Sequence, residues 1–262
     1  MSNLSLNQRK NWFRKINKNN NISRLGNLIS TLDLFNDIEK LQKDVVNILF
    51  DSLKGKKKKI TLENFLKDKK SELNKIQLTD GSIIKIFYDN FLSYMKLHQT
   101  LLQIFKKNNL IDHISGFSLI NLRLVKKVLN PTRPYATTKL HIDIFANEPS
   151  DIVHFWVPLS KNDLQKEFEL NEGPEKLNAN WFKTYKRYDE FNFPNLKTAD
   201  ISKTYNKSLI FDGICPHRTI LNRSSQFRVS MDVKLRRSPL KKNESYSSNY
   251  NDVEKFKKLI IC

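Results

Sequence analysis

Residues 139–145, Lys-Leu-His-Ile-Asp-Ile-Phe, place His141 and Asp143 two apart in a largely apolar run. Side chains on a strand alternate with a period of two, so both would face the same side. An ionised carboxylate turned toward a sheet interior needs a partner, and a metal shared with an imidazole is one. His217 supplies a third donor; it follows Pro216, just past the strand-like run Lys-Ser-Leu-Ile-Phe-Asp-Gly. Eleven residues later stands Arg228, and Ser230 follows two further on, on the same face of the next strand-like segment. Two imidazoles and one carboxylate bind a metal on one triangular face and leave three positions open, an arrangement suited to ferrous iron. The same ligand types also serve zinc-dependent hydrolysis. A guanidinium beside a hydroxyl suits a carboxylate met end-on, because it offers a planar fork of donors.

These residues need a scaffold, and the texture of the chain changes in a way that supplies one. Residues 1–30 are polar and basic and read as a helical arm anchored by Trp12 and Phe13. Leu34, Ile38, Leu41, Val45, Ile48 and Leu49 fall at helical spacing. A short second helix is expected over 61–73, and a long third one from near Ser82 to 108, after the turn Thr-Asp-Gly. From about residue 115 the runs are short, β-branched and aromatic, at 117–129, 138–146, 151–160, 207–213 and 227–236, each bounded by Pro, Asn, Asp or Gly. Residues 160–200 are polar and irregular, long enough to read as a lid. Residues 238–262 form a polar tail that ends in a short amphipathic piece. Helices first and then spaced strands, without a βαβ rhythm, predict an antiparallel sandwich or jelly roll with helices packed on it.

Composition narrows the classes. No apolar run is long enough to cross a membrane, the N-terminal residues lack the apolar core of a secretory signal, and Cys215 and Cys262 are the only cysteines. A reducing cytoplasm and no membrane partner are therefore expected. The formal net charge of +19 is of the kind that binds nucleic acid. Lysine is spread along the chain, however, with one dense run at Lys56–Lys59, and such charge is ordinarily solvated. No base-stacking or helix-turn-helix pattern accompanies it, so nucleic acid is not expected as the partner.

The stretches 139–160 and 209–236, in the order His-x-Asp, His, Arg-x-Ser, resemble the Fe(II)/2-oxoglutarate-dependent oxygenases. Within these they look most like the phytanoyl-CoA-hydroxylase-like branch and the hydroxylases of streptomycin-type biosynthesis. The resemblance covers about 115–237. It implies a mainly β fold with a helical layer (α+β): a double-stranded β-helix (jelly roll, cupin-like) preceded by an N-terminal helical region. The chain would be one oxygenase domain, 1–262, with mostly helical support over 1–114, the catalytic core over 115–237 and the tail beyond. His141, Asp143 and His217 match the iron ligands, Arg228 the residue that pairs with the far carboxylate of 2-oxoglutarate, and Ser230 the hydroxyl that assists it. The implied cofactors are Fe(II), 2-oxoglutarate as cosubstrate, and O2. The implied reaction is hydroxylation of a small polar metabolite (a sugar, aminocyclitol or amino acid) with release of succinate and CO2. The presence of Asp143, which leaves no vacant place for a halide, favours hydroxylation over halogenation.

Other residues carry weaker signals. Asn121 and Trp156 are candidates for the cosubstrate pocket. His154 shares a face with Trp156 and fits either pocket lining or packing. Arg123 fits a surface ion pair better than a ligand contact. Arg218 and Thr219 follow the second imidazole and lie within reach of a substrate. Cys215 fits a buried apolar role, and His98 and His113 fall outside the strand region. The competing readings are a metal-dependent hydrolase, which leaves Arg228 and Ser230 without a purpose, and a basic nucleic-acid-binding protein, which rests on charge alone.

Overall fold

The computed structural model describes residues 4–56, 58–79, 82–127, 138–143, 149–161, 167–177, 195–202 and 206–237, together with the backbone of 250–252. Helix α1 (Leu6–Ile16) opens with a capping box, in which Ser5 and Gln8 satisfy each other's backbone N–H groups, and it buries Trp12 and Phe13. Then come β1 (Ile22–Arg24), β2 (Ile29–Asp33), α2 (Ile38–Ser52), α3 (Leu62–Asp68), α4 (Lys70–Leu73), β3 (Leu78–Thr79), β4 (Ile83–Ile84) and α5 (Tyr88–Lys107). The stretch expected to be a helical support through residue 114 thus holds these helices and four strands as well. The long helix starts at Tyr88 rather than near Ser82, because the chain first runs as β4 and the Asn90 side chain then caps the Phe87 N–H at 2.7 Å.

After a 3-10 turn at Leu110–His113 come β5 (Ile114–Ser118), β6 (Asn121–Val125), β7 (Ile152–Pro158), β8 (Phe168–Leu170), β9 (Lys207–Asp212), β10 (His217–Thr219), β11 (Arg228–Arg237) and β12 (Tyr250–Asp252). The large sheet runs β1-β2-β9-β7-β11-β6-β4-β3, with β5 also on β11 and β12 on β5. A small sheet pairs β10 with β8. Every pairing between these strands is antiparallel. The architecture is a mostly antiparallel, jelly-roll-like β fold with a few helices.

β7 is buried along its whole length, which requires cover on both faces. Val153, Phe155 and Val157 turn to the helices, where the rings of Phe105 on α5 and Phe155 meet edge to face at 4.9 Å. His154 and Trp156 turn the other way, toward the small sheet. β11 obeys the same alternation: Val229, Met231, Val233 and Leu235 join the apolar core, while Arg228, Ser230, Asp232 and Lys234 share the opposite face. The expected strand over 138–146 is, among the described residues, a single bridge at His141. The polar 160–200 segment, expected as a lid, carries β8, and its residues 162–166 and 178–194 lie outside the described residues. No helix among the described residues is long and apolar enough to cross a membrane.

Candidate metal centre

His141 and His217 are brought together by backbone. Each donates its N–H to the other's carbonyl, at 3.1 and 2.9 Å, the closed pair of an antiparallel ladder. The two imidazoles therefore stand side by side, with centroids 4.5 Å apart. Each ring is then held by its Nδ1: His141 donates to the Lys139 carbonyl at 2.6 Å and His217 to the Cys215 carbonyl at 3.0 Å. A carbonyl only accepts, so the proton sits on Nδ1 and the lone pair on Nε2. This is the outer support that metal-ligating histidines ordinarily have. Burial lowers both pKa values, that of His217 to about 3 with the neighbouring His141 adding to the effect, so both rings are neutral donors at pH 7.

Asp143 completes the group. Its Oδ1 lies 3.5 Å from His141 Nε2 and 3.9 Å from His217 Nε2. One donor atom from each residue falls within 4.8 Å of the others, near the spread that one ion with bonds of about 2.0–2.2 Å gathers. The other oxygen, Oδ2, has its own partners: His154 Nε2 at 3.0 Å and Lys234 Nζ at 3.1 Å. His154 Nδ1 in turn lies 3.2 Å from Asp232 Oδ1, and its ring stacks on Phe211. Burial alone would raise the Asp143 pKa, but Lys234 and His154 outweigh it and hold the carboxylate ionised, well below its usual range. Burial would lower that of His154, and Asp143 and Asp232 outweigh it, raising it to about 9.

These groups open onto a cavity of about 190 Å³ lined also by Asn121, Arg123, Trp156, Phe168 and Thr219. Thr219 faces inward from β10, whereas Arg218 faces outward and pairs with Glu169 at 2.6 Å. Arg123 lines the cavity and donates to Ser82 Oγ at 3.0 Å, in place of the expected surface ion pair. Arg228 and Ser230 are buried on the same β11 face as Asp232 but are not among the cavity's lining residues. The Arg228 guanidinium donates to the Ile220 carbonyl, one residue beyond Thr219. Burial depresses the Arg228 pKa, and the charge of Glu167 opposes that. Sequence reading gave no role to Asp232, Lys234, Phe168 or Phe211. The first two were within reach, because they continue the period-two pattern of Arg228 and Ser230 along β11.

The loop that carries His217 is pinned from behind. Asp212, at the end of β9, accepts from Arg9 on α1 at 2.6 Å, from Arg237, and from the Ile214 N–H at 3.0 Å, and it is fully buried. Cys215 fills this loop as a buried thiol, its pKa driven well above the ordinary value by burial and the Asp212 charge. His98 is a satisfied core residue: Nδ1 donates to the Tyr94 carbonyl and Nε2 accepts from the Ile120 N–H.

No protein-family model matches the chain, and no curated protein matches it. Among solved structures it is similar to the non-heme alpha-ketoglutarate-dependent carbocyclase SnoK of nogalamycin biosynthesis, at 11% identity over 90% of this chain and 87% of that one, with a TM-score of 0.50. The non-heme alpha-ketoglutarate-dependent epimerase SnoN matches at 11% identity over 61% and 76%, with a TM-score of 0.40. SnoN in complex with Fe3+, alpha ketoglutarate and nogalamycin RO matches at 10% identity over 95% and 89%, with a TM-score of 0.39. The likeness to SnoK is one of fold.

Proposed function

We propose that this protein is a non-haem Fe(II)/2-oxoglutarate-dependent oxygenase acting on a small polar metabolite. One observation carries the reading: His141, Asp143 and His217 converge, with both imidazoles locked by Nδ1 so that Nε2 faces the carboxylate. The donor set fits a ferrous ion, since neutral imidazoles and one carboxylate suit it and leave open positions. The fold shared with SnoK, which is named as alpha-ketoglutarate-dependent, agrees with this. Bound iron, 2-oxoglutarate and dioxygen would together supply oxidation of a substrate carbon–hydrogen bond, with release of succinate and CO2.

The chain's own part is to bind and orient. Arg228, with Ser230 beside it, would take the far carboxylate of 2-oxoglutarate through its planar fork of donors. Its guanidinium already stands at Ile220, behind the Thr219 wall of the cavity. Asn121 and Trp156 line the same cavity as the metal ligands and would contact the cosubstrate there. Phe168, stacked on Trp156 at 4.8 Å, and Phe211 give an apolar wall that limits water. Hydroxylation is the outcome proposed here, in line with the resemblance to phytanoyl-CoA-hydroxylase-like enzymes. Fold alone does not set the outcome.

The test is an anaerobic titration of the Fe(II) protein with 2-oxoglutarate, followed by exposure to air. A weak visible metal-to-ligand band and iron-dependent succinate are expected, and both should be lost in His141→Ala. Absence of the band in the wild type, or undiminished succinate in that variant, overturns the assignment.

A further inference from the structure

We infer that His154 and Lys234 are positioning residues that hold Asp143 to one-oxygen ligation. The inference rests on the proposed metal site. The two oxygens of Asp143 live in different surroundings. Oδ1 faces the Nε2 atoms of His141 and His217, at 3.5 and 3.9 Å. Oδ2 faces away, with His154 Nε2 at 3.0 Å and Lys234 Nζ at 3.1 Å. A carboxylate is free to ligate through one oxygen or both, and the second mode would crowd the three open positions, leaving a chelating cosubstrate and dioxygen to compete for two. Two nitrogens this close to Oδ2, that of Lys234 and that of His154, which is in ion-pair contact without hydrogen-bond geometry, oppose that mode.

The holding groups are themselves held. His154 Nδ1 rests against Asp232 Oδ1 at 3.2 Å, and the His154 ring lies flat on Phe211, with centroids 4.7 Å apart and planes 10° apart. His154 and Lys234 are direct partners across β7 and β11, and Asp232 pairs with Trp156 two residues along. The whole arrangement is thus fixed by ladder register, on a sheet other than the one that carries the imidazoles. Both ring nitrogens of His154 face carboxylate oxygens, so this third imidazole supports the site and does not ligate.

The experiment compares wild type, His154→Phe and Lys234→Met, with His141→Ala as the control. Phenylalanine keeps the stacking on Phe211, and methionine keeps the lysine stem. Co(II) affinity and visible spectrum are read first, then binding of 2-oxoglutarate to the anaerobic Fe(II) protein through its visible band. Releasing Oδ2 should leave Co(II) affinity equal or higher, since the freed oxygen can itself ligate and Lys234→Met also removes a nearby cation. It should alter the Co(II) spectrum and weaken 2-oxoglutarate binding on the order of tenfold, a loss of the size that outer-shell substitutions ordinarily cause in metal affinity or activity, here falling on the cosubstrate. General damage to the fold would instead weaken both ligands together. Should His154→Phe not fold, His154→Phe with Asp232→Asn removes the carboxylate left without its partner, and the same split is expected. Folded variants with an unchanged Co(II) spectrum and 2-oxoglutarate affinity within twofold of wild type overturn the inference and leave the metal site standing. A wild type whose Co(II) binding is absent, or indifferent to His141→Ala, overturns the metal site itself.

Discussion

The Asp212 cluster behind the site makes a quantitative prediction. Arg9 is fully buried and Arg237 nearly so, and the Asp212 carboxylate sits between them. Asp212→Asn keeps the side-chain shape and an acceptor for the Ile214 N–H but removes the negative charge that pairs with both guanidiniums. Two guanidiniums are then left buried against each other, and Arg237 already has Nε and Nη1 without a hydrogen-bond partner. Breaking a buried ion pair from one side costs about 3–5 kcal/mol, which for a chain near this size corresponds to a fall in Tm of about 6–20 °C. Arg9→Met removes one of the two cations, so the same Asp212→Asn change made in that background should cost less. A hydrogen bond between charged groups is worth about 1.5–3 kcal/mol, and the double-mutant cycle should return a coupling of about 2 kcal/mol. Urea unfolding of the four proteins measures it, with an unchanged m-value showing that the unfolded states are comparable. A coupling near zero, or an Asp212→Asn protein as stable as wild type, would refute the view that charge pairing pins this loop.

Two further predictions concern His98 and Arg228. Burial holds the His98 pKa below its ordinary 6.5, so below about pH 6.5 the unfolded chain takes up a proton there that the folded chain refuses. Stability should therefore fall as the pH drops, and His98→Gln should flatten the slope of ΔG against pH below 6.5 by up to about 1.4 kcal/mol per pH unit; parallel curves for the two proteins would contradict this. Arg228→Lys replaces a planar fork by a point charge and should raise the 2-oxoglutarate KM about tenfold or more while Fe(II) affinity is unchanged. An unaltered KM would remove Arg228 from the cosubstrate site.

The strands that build the site were legible because their patterns are strong. β6, β7, β9 and β11 are runs of apolar and β-branched residues long enough for a period of two to show. β1 and β2 lie at the end of a polar, basic stretch that reads as a helical arm; only Ile29–Leu32 is continuously buried, and that follows from pairing with β9, with Ile29 opposite Phe211 and Asp33 opposite Lys207. β3 and β4 are two residues each, too short for any periodicity. The apolar residues Ile83, Ile84, Ile86 and Phe87 merge with the helical spacing of α5, and so the helix was expected to begin too early. Within the site, the residue types at 141, 143 and 217 indicated metal chemistry, but their meeting depends on a backbone pair spanning 76 residues that no local rule contains. The role of His154 was less legible still. Its two carboxylate partners come from β11 and from the chain after the His141 bridge, and only the β7–β11 register brings them together.

That register also explains how a chain with so many buried charges keeps a core. On β11, Val229, Met231, Val233 and Leu235 are fully buried on the helix side, while Arg228, Ser230, Asp232 and Lys234 face the cavity side. One strand therefore serves two environments, and parity separates them. The apolar set drives association with the rest of the core by losing water. The polar set is placed without having to contribute that driving force, because each ion meets a partner across a sheet held in place from the other side. A slip of one residue would exchange the faces, putting four polar side chains against the helices and taking Lys234 away from Asp143 and Asp232 away from His154. The burial that makes the fold stable is thus also what fixes the site's register, and substitutions at Val229, Met231, Val233 and Leu235 should act through stability while those at Arg228, Asp232 and Lys234 act through ligand binding.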